Sequence, residues 1–337
     1  MRTVAVLGAG SWGTALAVHL ARIGHDVRLW ARDAALVHEM AARRANAVYL
    51  PDVHLPDNVS LTDSMAAALR DTELVVSAIP SHGCRAVMRN AAPHLARGAV
   101  IVSATKGLEA HTMLRISEVV AQEAGAAHPV VVLSGPSFAI EVARQLPTAV
   151  LVASDDAGAI ELVQGEFRGP SFRLYASDDV IGVEIGGALK NIIAIAAGVV
   201  EGLGLGHNAL AALITRGLAE LTRVACAAGG RRETLAGLSG LGDLVLTCTG
   251  SLSRNRYVGV ELARGRSLSD ILAGMKMVAE GVITTSVALE LGAKYAVELP
   301  IATQMGEVLS GRCDVPSAIS SLMLRPQRAE SENAASS

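Results

Sequence analysis

Along the first half of the chain, short runs of consecutive apolar, mostly β-branched residues alternate with Ala-rich segments whose apolar positions recur at helical spacing. Residues 3–7, 26–30, 74–78, 100–103, 130–133, 149–153 and 172–175 read as strands. Several carry apolar residues at successive positions, as strands covered on both faces do, so the pattern predicts a parallel sheet with helices packed on its faces. After about Ser177 the character changes to long Ala/Leu/Ile/Val segments with helical spacing and no convincing strand, which predicts an all-helical second half. Asp178 or Asp179 can cap its first helix, placing a boundary near residue 177. The expected organisation is an α/β domain over 1–177, a helical domain over 178–325 and a loose polar tail over 326–337, where too little apolar surface is present to order the chain.

Composition narrows the classes of function. With 337 residues and 51% apolar side chains the chain can bury two cores. Basic and acidic residues nearly balance, 29 against 32 for a net of −3, so nothing draws the protein to nucleic acid or to an anionic membrane. Aromatic residues make up 3%, too few for base-stacking platforms. Gly8, Gly10 and Gly13 interrupt the N-terminal apolar stretch and no cleavage site follows, so it reads as mature structure rather than a secretory signal. The most lipid-like stretch, 192–200, is far shorter than the ~20 residues of a membrane span and reads as a buried helix. No integral membrane segment is expected, and the location expected is cytoplasmic. Cys84, Cys226, Cys248 and Cys313 form no C-x-x-C pair; they read as reduced core residues, with no metal site.

The segment TVAVLGAGSWGTALAVHLARIG sets G-x-G-x-x-G between a strand and a helix, the context that turns a weak pattern into a dinucleotide-binding turn. Gly8 permits the tight turn, Gly10 lets the backbone approach a pyrophosphate, and Gly13 lets helix and strand pack closely, with the N–H groups near Ser11 and Trp12 facing the anion. The second strand ends in LWARD, so Arg32 stands near the position that usually holds an acidic residue. Arg32 could accept a 2′-phosphate, favouring NADP, while Asp33 could serve a ribose hydroxyl, favouring NAD.

Three further stretches, SAIPSHG, SATKGLE and LSGPSFAIEV, bring polar groups to the ends of strands, where open parallel sheets bind ligands. Lys106 places a cation on that rim, and Gly135 with Pro136 shapes a turn presenting Ser137 and the backbone near Ala139. His82 reads as a cap or loop residue rather than an acid or base. In the helical half, GVEIGGALKNIIAIAAG holds Lys190 and Asn191 within a nearly apolar segment. A charge there is costly unless used, and desolvation with Lys106 nearby would lower the ammonium pKa, which suits a catalytic acid/base. LSGLGDLVLTCTGSLSRN then offers Asp243 in a Gly-rich turn and the trio Ser253, Arg254 and Asn255, which can clamp a phosphate.

These motifs, with NAVYLPDVHLP and VAEGVITT in the same order, resemble the NAD(P)-dependent glycerol-3-phosphate dehydrogenase family, particularly its bacterial form, over nearly the whole chain. The resemblance implies a Rossmann-type dinucleotide-binding domain followed by an all-α substrate and catalytic domain. It implies reversible hydride transfer between NADPH or NADH and the C2 carbonyl of dihydroxyacetone phosphate, giving sn-glycerol 3-phosphate for glycerophospholipid synthesis. By motif, Ser11, Trp12 and Arg32 would contact cofactor, Lys106 both ligands, and Gly135 and Ser137 the substrate. Ala139, Val278 and Glu280 would complete the cofactor's surroundings. Lys190 matches the proton-transfer residue, with Asp243, Thr247, Ser253, Arg254 and Asn255 around the substrate and Arg254 also near the cofactor. The rival readings are a β-hydroxyacid dehydrogenase, whose carboxylate substrate would also suit Arg254, and a non-catalytic NAD(P) sensor, which would need no acid/base lysine. A homodimer is expected from the large apolar helical half.

Overall fold

The computed structural model describes residues 1–275 and 277–327; of the tail read over 326–337, all but Pro326 and Gln327 lies outside the described residues. The strands are β1 (Thr3–Leu7), β2 (Asp26–Trp30), β3 (Ala45–Asn46), β4 (Leu50–His54), β5 (Val59–Thr62), β6 (Leu74–Ser77), β7 (Val100–Ser103), β8 (Val130–Ser134), β9 (Thr148–Ala153) and β10 (Phe172–Ser177). Eight of them form one sheet in the order β10-β9-β8-β7-β6-β1-β2-β5, and β3 pairs with β4 apart from it. Its helices are α1 (Ser11–Arg22), α2 (Ala34–Arg43), α3 (Met65–Leu69), α4 (Ser81–Ala91), α5 (Ile116–Ala124), α6 (Ala139–Ala143) and α7 (Ala157–Phe167). They cover both faces of the sheet, one apolar cluster gathering around Val4, Val6, Leu16 and Leu20 and another around Ala5, Leu7, Val75 and Ile101. Alternate residues of β1 thus point into different cores, which is why the strand is apolar throughout.

β1 pairs in parallel with both β2 and β6, so chain direction across the sheet switches beside it and a crevice opens at its carboxyl end. The Gly-rich turn stands at that crevice. Strands β3, β4 and β5, absent from the hydrophobic reading, are short, and β5 completes the edge beside β2 through Val27↔Val59 and Leu29↔Leu61. The parallel sheet also carries a reversed pair at its other edge: β9 runs antiparallel to β8, with Leu133 opposite Val152. Between them α6 has only five residues, about 7.5 Å of helix, too short to return along a strand of about 17 Å. The chain therefore turns back where it is, leaving residues 135–147 at the crevice end.

The rest of the described chain is helical, as the spacing predicts: α8 (Val180–Gly202), α9 (Gly206–Ala227), α10 (Arg232–Leu235), a π-helical turn (Leu238–Gly242), α11 (Asp243–Thr249), α12 (Arg254–Ala263), α13 (Leu268–Ala273), α14 (Glu280–Lys294), α15 (Pro300–Leu309) and α16 (Val315–Met323). Asp179 caps α8, accepting from the Gly182 N–H at 2.8 Å. Among the described residues α8 alone is long and apolar enough to cross a membrane, yet nearly all of that stretch is buried as the axis of the helical core. α12 lies against it backbone to backbone: a Cβ on Gly198 would stand 1.9 Å from the Arg256 carbonyl oxygen, and one on Gly259 1.9 Å from that of Ile195. Cys84 and Cys248 are buried as expected, but Cys226 is exposed and Cys313 half-buried, because they fall at the end of α9 and in a loop rather than on a core-facing stripe.

Candidate active site

The Gly-rich turn has the shape its residues predict. Gly8 adopts φ +109°, a Cβ on Gly13 would stand 1.9 Å from the Gly8 carbonyl oxygen, and the space beside Gly10 is open for at least 4 Å around a Cβ position. Gly10 caps α1 without any side-chain acceptor, so the first N–H groups of the helix face the crevice. Open space, free donors and the positive end of a helix together fit a dinucleotide pyrophosphate. The turn is buttressed by a residue the motif reading did not single out. Asn46, fully buried, donates from Nδ2 to the Ala9 carbonyl oxygen and to Thr14 Oγ1, both at 2.8 Å, and accepts the Tyr49 N–H at 3.1 Å. The Ser11 hydroxyl donates to the Tyr49 carbonyl oxygen at 2.5 Å and lies 3.1 Å from the Met277 sulfur, so a loop of the helical half already reaches the turn. Trp12, beside Ser11, has a buried indole N–H without a hydrogen-bond partner.

At the end of β2, Arg32 is exposed and Asp33 caps α2, its Oδ1 accepting from the N–H groups of Ala35 and Leu36. His82 is the exposed second residue of α4 and joins no site. Glu280, at the start of α14, gives both oxygens to Ser81: Oε1 accepts the Ser81 N–H at 3.0 Å and Oε2 its hydroxyl at 2.6 Å. It thereby caps α4 from the other half of the molecule. Val278, exposed, offers its carbonyl oxygen to Arg254 Nη1 at 3.1 Å.

The two lysines singled out in different halves meet. Asp243, 1% exposed at the start of α11, accepts from Lys106 Nζ through Oδ2 at 2.6 Å and from Lys190 Nζ through Oδ1. Lys190, 4% exposed, also donates to Thr247 Oγ1 at 2.7 Å, whose own hydrogen is committed to the Asp243 carbonyl oxygen at 2.6 Å. Lys106 has a second partner, the Gly135 carbonyl oxygen at 3.0 Å, which also receives the Ser137 hydroxyl at 3.0 Å. Ala139 opens α6 just beyond. The π-helical turn ahead of α11 puts Asp243 and Thr247 one helical turn apart on the face toward α8. Burial pushes the Lys190 ammonium down to about 7; the Lys106 cation pushes the same way, and Asp243 opposes both. An amine poised near neutrality can give or take a proton at working pH.

The SRN trio divides in the structure. Ser253 caps α12, accepting the Arg256 N–H at 3.2 Å. Asn255 is buried, donating to Asn191 Oδ1 at 2.9 Å and accepting the Gly281 N–H at 3.0 Å, so it ties α8, α12 and α14 together and keeps one N–H spare. Arg254 alone is solvent-accessible, at the mouth of the site.

Residues 3–160 match the family described as NAD-dependent glycerol-3-phosphate dehydrogenase N-terminus, and residues 179–320 match the C-terminus of that family. The chain is 53% identical over 334 residues to a glycerol-3-phosphate dehydrogenase [NAD(P)+] of Koribacter versatilis, covering 98% of this chain and 99% of the relative. It is 54% identical to that of Acidobacterium capsulatum, covering 98% and 100%. The crystal structure of glycerol-3-phosphate dehydrogenase from Coxiella burnetii superposes with a TM-score of 0.92 at 42% identity, covering 96% of this chain and 99% of that one.

Proposed function

The chain belongs to the NAD-dependent glycerol-3-phosphate dehydrogenase family, and from that premise we propose how its residues divide the work of the reaction. The protein is an NAD(P)-dependent oxidoreductase that interconverts dihydroxyacetone phosphate and glycerol 3-phosphate. The observation that carries the residue assignment is the buried Lys190 ammonium, held by Asp243 and Thr247 with a second ammonium, Lys106, on the other oxygen of the same carboxylate.

The N–H groups at the start of α1, with Ser11 and Trp12, would hold the pyrophosphate, while Ala139, Val278, Glu280 and Arg254 border the remaining cofactor surface. When bound, the nicotinamide supplies the hydride for C2 of the substrate. Lys190 supplies the proton: from the ammonium form Nζ protonates the developing alkoxide in reduction, and as the amine it takes the hydroxyl proton in oxidation. Asp243 orients Lys190 and balances the paired cations, and Thr247 can only accept from Nζ, which fixes the amine's direction. Lys106 stands where it can polarise the carbonyl or meet the phosphate. Gly135, Ser137, Ser253, Arg254 and Asn255 line the substrate's side, with Arg254 and the positive end of α12 as the phosphate clamp. Asn255 acts there mainly by holding the three helices in place.

For the cofactor, NADP is favoured: Arg32 is free to meet a 2′-phosphate, whereas Asp33 is engaged in capping α2. The split into a nucleotide half over 1–177 and a substrate half over 178–325, a cytoplasmic location, a role supplying glycerophospholipid synthesis and a homodimer complete the proposal. Oxidation of NADPH and NADH is to be measured with dihydroxyacetone phosphate and, in parallel, with tartronate semialdehyde. Turnover with the triose phosphate and a lower KM for NADPH are expected. Turnover restricted to the carboxylate would overturn the phosphate clamp, and a lower KM for NADH would overturn the role of Arg32.

A further inference from the structure

Six residues before Lys190, and so about 9 Å along the same helix, α8 buries a second titratable side chain, Glu184, whose carboxyl burial pushes up while Arg115 and Ser117 pull it back down. Its oxygens face the nucleotide half. Oε1 accepts the Ser117 N–H at 2.8 Å; Oε2 accepts the Ser117 hydroxyl at 2.5 Å and Arg115 Nη1 at 3.0 Å. Glu184 therefore caps the first turn of α5 from across the boundary between the halves, a favourable place for a negative charge.

The segment it grips is the far end of the loop that carries Lys106. That loop leaves β7, passes Lys106, and closes on itself through a bridge between Leu108 and Arg115 and a hydrogen bond from the Glu109 N–H to the Leu114 carbonyl oxygen at 2.9 Å. Leu108 is buried in the helical core, with Met113 and Ala110 packed against that core. The contacts complete a ring: Glu184 to Lys190 along α8, Lys190 to Asp243 to Lys106, Lys106 through the closed loop to Arg115, and Arg115 back to Glu184. Every side of the ring is a helix, a closed loop or a charged hydrogen bond. A buried carboxylate is a poor way to stabilise an otherwise apolar helix, since desolvation opposes the gain. It is an effective way to fix rotation and register, because only one placement of α8 satisfies all three donors.

We propose that Glu184 is a positioning residue for hydride transfer, holding the Lys190 helix against the root of the Lys106 loop so that both ammonium groups reach the two oxygens of Asp243. The inference rests on the reading of Lys190 as the proton-transfer group.

The test is Glu184→Gln in the full chain, which keeps the shape and removes the carboxyl that pairs with Arg115. In reduction of dihydroxyacetone phosphate, kcat falls roughly tenfold to hundredfold, as for a reacting group displaced by about an ångström. KM for the reduced cofactor stays within about twofold, since the Gly-rich turn is untouched. The high-pH limb of the kcat profile moves to lower pH, because Lys190 loses part of its contact with Asp243, which holds its ammonium up more strongly than Lys106 pushes it down. A folded Glu184→Gln protein with lowered thermal stability but unchanged kcat and an unmoved limb overturns the proposal, leaving the carboxylate a purely structural role. Should that variant fail to fold, Ser117→Ala, which keeps the ion pair and the backbone donor, decides in the same way: a several-fold lower kcat supports the proposal, and an unchanged one overturns it. Lys190→Met separates the two layers: activity surviving in it removes the underlying reading, whereas its loss beside a fully active Glu184→Gln removes this inference alone.

Discussion

A lysine inside an apolar helix must be either neutralised or used, and Lys190 is poised for both. Its ammonium is pushed down to about 7 by burial first and by Lys106 second, against the pull of Asp243. The sign of the resulting pH dependence differs with direction. In the role proposed for Lys190, reduction needs the ammonium as acid, so its kcat falls as pH rises through about 7; oxidation needs the free amine, so its kcat rises through the same range. Because Lys190, Lys106 and Asp243 are in contact, the limb belongs to the trio rather than to one residue. Steady-state profiles in both directions between roughly pH 6 and 8 check this, and two flat profiles would remove Lys190 from proton transfer. At this scale the sequence was informative where a charge broke an apolar pattern, as at Lys190, and where a motif fixed a turn, as at Gly8. It marked the segments that hold Asn46, Ser81 and Glu184 but not what these residues hold, since their partners lie 32, 199 and 67 residues away.

Among the elements, α8 and α12 show how the site is assembled from glycine. Their axes approach until Gly198 and Gly259 touch backbone, which brings Arg254 at the start of α12 to the same end of the bundle as Lys190. A methyl on Gly259 would meet the Ile195 carbonyl oxygen at 1.9 Å and cannot be accommodated without parting the helices. Gly259→Ala is therefore expected to cost about 1–3 kcal/mol of stability and to raise KM for dihydroxyacetone phosphate more than KM for the cofactor. Chemical denaturation and steady-state kinetics check both; native stability with unchanged KM would deny the close approach. The helical spacing announced both helices but not their contact, since a glycine in a helix pattern carries no mark of what it faces. Likewise the apolar runs announced β8 and β9 but not their opposed directions, which follow from the short α6 between them.

For the molecule as a whole, a buried carboxyl outside the site contributes to how stability depends on pH. Glu220 on α9 caps α15, accepting the Ile301 N–H at 2.7 Å and the Ala302 N–H at 3.3 Å. Burial nevertheless pushes its carboxyl up to about 7, the two N–H groups opposing. A folded-state pKa above the unfolded value means stability that is complete below the ordinary carboxylate range and is lost as pH rises through about 7. Glu220→Gln, which imitates the protonated form, is expected to melt several degrees above the parent at pH 8 and close to it at pH 5. Scanning calorimetry at the two pH values checks this, and an equal difference at both would show that Glu220 does not titrate in that range.

Features that depend on near neighbours along the chain could be read without coordinates. Periodicity separated an α/β first half from a helical second half, the glycines with their flanking strand and helix located the dinucleotide turn, and the family's motifs named the chemistry. Tertiary structure alone decided which distant groups share a partner. Asp243 lies 137 residues from Lys106 and 53 from Lys190, and no spacing rule says that one carboxylate will serve both ammonium groups. That pairing exists because α8, α11 and the loop after β7 converge at the crevice where the strand order reverses beside β1. A side chain's pKa, and with it its chemistry, is set by what surrounds it in space.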